Sequence, residues 1–176
     1  GRNGVSLRVI VAYRPVLNKR GPMSVWNQQK VYWQTHNIDT DPIVKFTQDL
    51  AAEIAVWLAA GDQIVLGLDA NEDVRDGVFQ RAMEHVSLVG LITKQHGPDG
   101  PPTYIDGSVP IDELFVSPGL DSLRCGYFPM QFDHRSLRVD IPFCLAFGQD
   151  IPPIIHTQAR CLKVGDPRIV KTYMEI

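Results

Sequence analysis

Gln63-Ile-Val-Leu-Gly-Leu-Asp-Ala-Asn-Glu-Asp73 is the stretch from which the rest of the chain is read. It begins with an apolar run, Ile64-Val65-Leu66, and ends in a cluster of polar oxygens. That is the pattern of a buried strand that delivers a site at its C-terminal end. Side chains alternate faces along a strand, which predicts Asp69 and Asn71 on one side and Ala70 on the other. A carboxylate beside a carboxamide can hold a water, a phosphate or a hard metal ion. The same residues also make an ordinary polar turn through local hydrogen bonds.

Working upstream, Asp41-Pro42 opens a helix, with Asp as N-cap and Pro in the first turn. Phe46, Leu50, Ile54, Trp57 and Leu58 form its apolar stripe, and Gly61 supplies a left-handed stop. Ser24 caps an earlier helix through Asn37, whose Trp26 and Trp33 read as core. Val5 to Tyr13 is rich in β-branched residues and breaks at Arg14-Pro15, as a strand does before proline. Tyr13 and Arg14 therefore sit at a strand's C-terminal end, where a phenol and a guanidinium can bind phosphate oxygen. Asn18 to Pro22 is a basic, turn-rich loop.

Downstream, Asp76-Gly77 starts a helix to about Val86, with Phe79, Ala82, Met83 and Val86 facing inward. Val89 to Thr93 reads as a short strand and Gln95 to Pro102 as a Gly/Pro loop. Pro102-Thr103-Tyr104 and Pro110 to Ser117 read as further strands. Asp112 enters the second of these, and a carboxylate there needs a partner if it is buried. Leu123 to Tyr127 is an edge strand, and Gln131 to Arg135 a polar loop that feeds Leu137 to Ile141. After about Phe147 the periodicity fades. Residues 148–176 read as a linker followed by a helix from Arg168, capped at Asp166-Pro167.

Helix then strand across a short Gly61-Asp62 link gives layered α/β packing. The chain's 176 residues suit one domain, and 44% hydrophobic residues argue for a packed core over disorder. A net charge of -3 provides no overall basic field, so a nucleic-acid partner needs a local basic patch or a metal. Three scattered cysteines lack metal-ligand spacing and suit a reducing, intracellular compartment. No apolar run reaches membrane-spanning length. The opening at Gly1, directly before a strand, reads as a fragment or a processed product.

Tyr13, Asp69-Ala-Asn71, Pro102-Thr103, Ile111-Asp112 and Asp133-His134, in this order, resemble the endonuclease/exonuclease/phosphatase superfamily. The corresponding signatures there are a strand-end Tyr, a G-D-x-N, a Thr before an aromatic, an I-D-x-x-x and an S-D-H. Here the second reads Gly67-Leu68-Asp69-Ala70-Asn71, with a Leu inserted, and the last reads Phe132-Asp133-His134, with Phe for Ser. The resemblance runs from about residue 5 to residue 147. No stretch matches the family's early Asn and metal-binding Glu. More weakly, residues 160–171 resemble linkers of retroelement-type polyproteins.

The resemblance implies the C-terminal portion of a DNase I-like, four-layer α/β/β/α sandwich, with a mixed or antiparallel sheet flanked by helices, over residues 1–147. It implies metal-dependent hydrolysis of a phosphodiester, DNA being the expected substrate and the nucleus a compatible compartment. Asp69 would activate water, Asn71 would hold that water and a phosphate oxygen, and Tyr13 would donate to the phosphate. His134 would bind a non-bridging oxygen and Asp112 would orient His134. Arg14 and Thr103 are expected on the substrate, and Asp133 on Mg²⁺ or Mn²⁺. The missing N-terminal half or a downstream polyprotein domain is the expected protein partner. Alternatives are a small or lipid phosphoester as substrate, a non-catalytic nucleic-acid-binding fragment, or an Asp112–His134 pair that is purely structural.

Overall fold

β2 (Gln63–Asp69) is an inner strand of a four-stranded mixed sheet, flanked by β1 (Leu7–Tyr13) in parallel and β4 (Asp112–Val116) in antiparallel. β3 (Val89–Gly90) closes the far edge against β4. The protein is seen here in a computed structural model that describes residues 6–121, 123–129, 132–147 and 165–175. The architecture is α+β. Register places Tyr13 beside Asp69, and Asp69 opposite Asp112, so three polar side chains line up across three neighbouring strands.

Period-two alternation then divides the sheet into two faces. Ile64, Leu66 and Leu68 of β2 and Phe115 of β4 are buried with Ile54, Phe79 and Met83. Ile54 belongs to α2 (Pro42–Ala59), and Phe79 and Met83 to α3 (Val78–His85). The Phe79 and Phe115 rings pack in a tilted arrangement, centroids 5.8 Å apart and planes at 59°. Burying each such side chain contributes roughly 1.5–3 kcal/mol. The opposite face carries Val65, Leu114 and Val116, which pack with Cys125, Tyr127, Leu137 and Val139. Those residues come from a hairpin of β5 (Arg124–Tyr127) and β6 (Leu137–Asp140).

The hairpin covers only the start of β1 on this second face, where Leu7 packs against the same cluster. Val9 and Val11 are 67% and 87% exposed. β1 is also an edge strand.

Local signals placed most elements. α1 (Val25–Thr35) is capped by Ser24, whose hydroxyl accepts from Asn27 N–H, and α2 by Asp41, which accepts from Ile43 N–H. Gly61 follows α2 at φ +85°, the left-handed turn that ends it. Trp26 is buried, as expected of core, and Trp33 half-buried.

Some expectations need correction. The strand expected over Val89 to Thr93 stops at Gly90, and α4 (Leu91–His96) takes over, followed by a 3₁₀ turn over Gly97–Asp99. The cause is Glu113, a fully buried carboxylate on β4 that accepts from the N–H groups of Ile92 and Thr93 at 2.8 and 2.9 Å and from the Thr93 hydroxyl. It satisfies the first turn's orphan donors from across the fold. Pro102 to Tyr104 forms a single bridge, Tyr104 to His134, and no strand. A short helix, α5 (Phe143–Phe147), follows β6. Asp166 caps α6 (Pro167–Met174) as expected, and the expected linker over 148–164 lies outside the described residues. No helix among the described residues is long and apolar enough to cross a membrane.

Candidate functional site

The site forms where β2 ends. Asp69 is the last strand residue, and the backbone turns at once: Ala70 N–H bonds Ile111 O at 2.7 Å, and Asn71 takes a left-handed φ of +49°. Asn71 is thus brought beside Asp69 by a turn, which replaces the strand alternation expected from sequence. Asn71 N–H donates to Asp69 Oδ1 at 2.9 Å, a local carboxylate turn. The Asn71 carboxamide donates to Arg14 O at 2.7 Å. One amide hydrogen and the side-chain oxygen of Asn71 are left for other partners.

Asp112 starts β4 directly opposite Asp69. His134 arrives from the loop before β6 and lies against both. Its Nδ1 is 2.9 Å from Asp112 Oδ2, and its Nε2 is 3.9 Å from Asp69 Oδ2. The first is a hydrogen bond; the second is too long to be one. Between Nε2 and Asp69 there is a gap that an oxygen atom can bridge. The Tyr104 ring lies 5.2 Å from the imidazole and walls one side. Tyr13 is about half exposed beside Asp69.

Electrostatics follow from this packing. Burial is the largest influence on Asp69 and, with the negative charge of Asp112, raises its pKa above 3.8, against the lowering by Asn71 N–H and by His134. For His134 burial is again the largest single influence and acts downward. The Asp112 hydrogen bond and the charges of Asp112, Asp69 and Asp133 outweigh it, so the imidazole pKa lies above 6.5. The imidazole faces a carboxylate on each side, and both charges favour its protonated form.

Two expected substrate-binding residues are placed differently. Arg14 is only 6% exposed. Its Nη1 donates to Ala70 O at 3.0 Å and to Glu72 Oε2 at 2.8 Å, and its guanidinium lies 5.9 Å from the Phe79 ring. Thr103 is fully buried. Its hydroxyl accepts from Ile111 N–H at 2.9 Å and Asp112 N–H at 3.1 Å, and its carbonyl accepts from Arg135 N–H at 2.6 Å. Thr103 therefore ties the start of β4 to the residue after His134, and neither side chain reaches solvent to meet a substrate.

Asp133 is exposed. Its carbonyl accepts from Ile105 N–H at 2.8 Å, which fixes the loop that presents His134. Among the described residues, the group able to converge on one cation is Asp69, Asp112 and His134, with ligand atoms within 4.8 Å of one another; Asp133 stands outside it. Sequence reading missed Glu72 and Tyr104. Glu72 directly follows Asn71, but its partners, Arg14 and Phe79, are 58 and 7 residues away. Nothing in the local pattern names them.

The chain matches no family model and no curated protein.

Proposed function

We propose that this chain carries the reacting end of a metal-dependent phosphodiesterase, an endonuclease acting on DNA, built on the DNase I-like sandwich. The observation that supports it most is the gap between His134 Nε2 and Asp69 Oδ2, with Asp112 behind His134. Hydrolysis of a phosphodiester needs a base for water on one side and a proton donor for the developing charge on the other. Asp69 offers the first and protonated His134 the second. Asp112 accepts from Nδ1–H and favours the imidazolium form, whose Nε2–H is then free to donate. Asn71 steadies the water through its remaining amide groups, and Tyr13 donates its hydroxyl to a phosphate oxygen from the next strand.

A divalent cation fits the donor set. Asp69 and Asp112 bring hard carboxylate oxygens, as Mg²⁺ and Mn²⁺ prefer, and their mutual repulsion is relieved by a positive charge. Of the converging group, Asp69 and Asp112 would hold the ion, and protonated His134 would remain a hydrogen-bond donor beside it. When bound, it neutralises phosphate charge and makes attack by water feasible.

The exposed Val9 and Val11 support a second element of the reading: the chain alone is inactive or weak, and a further layer packs on β1. A supercoiled-plasmid nicking assay with Mg²⁺ or EDTA, on this chain and on one extended upstream, tests the proposal. Nicking by the extended chain that is lost in EDTA and in Asp69→Ala supports it. No nicking by either chain sinks it in favour of a small phosphoester substrate or a non-catalytic nucleic-acid-binding role.

A further inference from the structure

We infer that Arg14 and Glu72 act as a positioning pair that holds Asp69 and Asn71 in the geometry the reaction needs. This rests on the phosphodiesterase reading. Arg14 bonds to each residue of the turn in succession. Its N–H donates to Asp69 O at 2.9 Å, its Nη1 to Ala70 O at 3.0 Å and to Glu72 Oε2 at 2.8 Å, and its carbonyl accepts the Asn71 amide at 2.7 Å. The turn needs such a grip. Asn71 sits at φ +49°, a region that persists only when surrounding contacts over-determine it.

Glu72 fixes the other end of the grip. Its Oε1 accepts from Phe79 N–H in the first turn of α3. Gly77 allows this, because a Cβ there would collide with Glu72 Oε1 and with Asp73 O. The site turn is thereby bolted through Arg14 and Glu72 to a helix of the core.

Stability is a poor explanation for the pair. A buried ion pair seldom stabilises more than apolar residues of the same volume. Here Arg14 Nε is also buried without a hydrogen-bond partner among the described residues, which is costly. What a planar guanidinium supplies is direction. Both side-chain bonds leave the one Nη1 nitrogen, whose two N–H groups lie in the guanidinium plane and so point at a carbonyl and a carboxylate in fixed directions, a direction that an ammonium on a flexible stem does not hold. Misplacing a reacting group by about 1 Å can cost on the order of 100-fold in rate.

The test uses Arg14→Lys, Arg14→Met and Glu72→Gln in the chain, with upstream extension where turnover requires it. Glu72→Gln keeps an acceptor for Phe79 N–H while removing the charge that faces Arg14. Three quantities are read: kcat and KM for nicking, the melting temperature, and the exchange rate and chemical shifts of the Asn71 side-chain amide by NMR. We expect kcat to fall about 10- to 100-fold in each variant with KM within about twofold, faster amide exchange at Asn71, and melting within a few degrees of wild type for Glu72→Gln. An unchanged Asn71 signal in variants that remain folded overturns the positioning role, as does a loss of kcat that only tracks melting. If the wild-type chain shows no turnover in any form, the phosphodiesterase reading fails. The Asn71 signal still decides whether the pair positions the turn.

Discussion

Asp69 and Asp112 face each other across the antiparallel pairing of β2 and β4, and His134 lies against both. Two carboxylates on adjacent strands repel, and the repulsion contributes to the raised pKa of Asp69. The imidazole offsets it in part, because its protonated form lowers the Asp69 pKa. The arrangement is asymmetric: Asp112 is hydrogen-bonded to His134, whereas Asp69 stays 3.9 Å away. On the proposed reading, that difference sets an orienting carboxylate, Asp112, apart from a reacting one, Asp69.

Asp112→Asn tests the orienting role. Removing the carboxylate takes away the main influences that raise His134, so its titration midpoint falls toward or below 6.5. Because the wild-type pKa is raised on folding, protonated His134 contributes stability that is fully present below pH 6.5 and fades as pH rises through the folded value. In the variant that pH dependence flattens. Turnover falls about 10- to 100-fold, and the alkaline limb of the rate profile moves to lower pH. NMR titration of the His134 ring checks the midpoint independently of activity; an unmoved midpoint rules out the assigned role.

Asp69→Asn tests the reacting role. The loss of a general base costs about 100- to 10,000-fold in turnover. Stability moves the other way. Asp69 has a raised pKa, so its charged form is disfavoured in the folded state, and that penalty applies above the folded pKa and is relieved as pH falls toward 3.8. The variant should therefore melt at or above the wild-type temperature at neutral pH. A Mn²⁺ titration should weaken in Asp69→Asn and change little in Asp133→Ala, since Asp133 lies outside the converging group. Equal weakening in both would return Asp133 to the ligand set.

Glu113 is a fold prediction. Glu113→Ala leaves the Ile92 and Thr93 N–H groups and the Thr93 hydroxyl without their acceptor in a buried place, at a cost of about 3 kcal/mol. Burial raises the Glu113 pKa, so the charged wild-type carboxylate is a strained acceptor that relaxes as pH falls toward 4.5. Gly90→Ala presses on the same group, because a Cβ there would lie 3.0 Å from Glu113 Oε2. Chemical denaturation should show both variants destabilised, Glu113→Ala the more. A Glu113→Ala midpoint within error of wild type would mean α4 holds without its carboxylate cap.

Elements that depend on neighbours in sequence were legible: β1 from its β-branched run, α2 from Asp41-Pro42 and its stripe, and β2 from Ile64-Val65-Leu66. That Asp69, Asp112 and His134 meet was expected from the resemblance alone, since none of them is near another in sequence. What sequence could not give was set by remote partners. α4 reads locally as a strand because Glu113, which caps it, lies 21 residues away from Ile92. Arg14 and Thr103 carry groups that commonly bind phosphate, yet their partners fold over them and bury both. A guanidinium at a strand end looks the same in sequence whether it faces solvent or Glu72.

The open face of β1 gives the last prediction. Val9 and Val11 project from an edge strand whose outer side has no neighbour in the sheet among the described residues. Edge strands are normally blunted by charge, proline or a bulge. Arg8, the one charged residue in β1, points to the other face and pairs with Asp62 at 2.5 Å. The side that carries the valines therefore has nothing to discourage association. Val11→Lys should keep this chain monomeric at concentrations where the wild type self-associates, with the melting temperature changed little, since Val11 is 87% exposed. Light scattering and hydrogen exchange check it together. In an upstream-extended chain, β1 amides should become protected and Val11→Lys should become destabilising, because the added layer then covers that residue. A β1 that exchanges equally fast in both chains would mean that no such layer packs there.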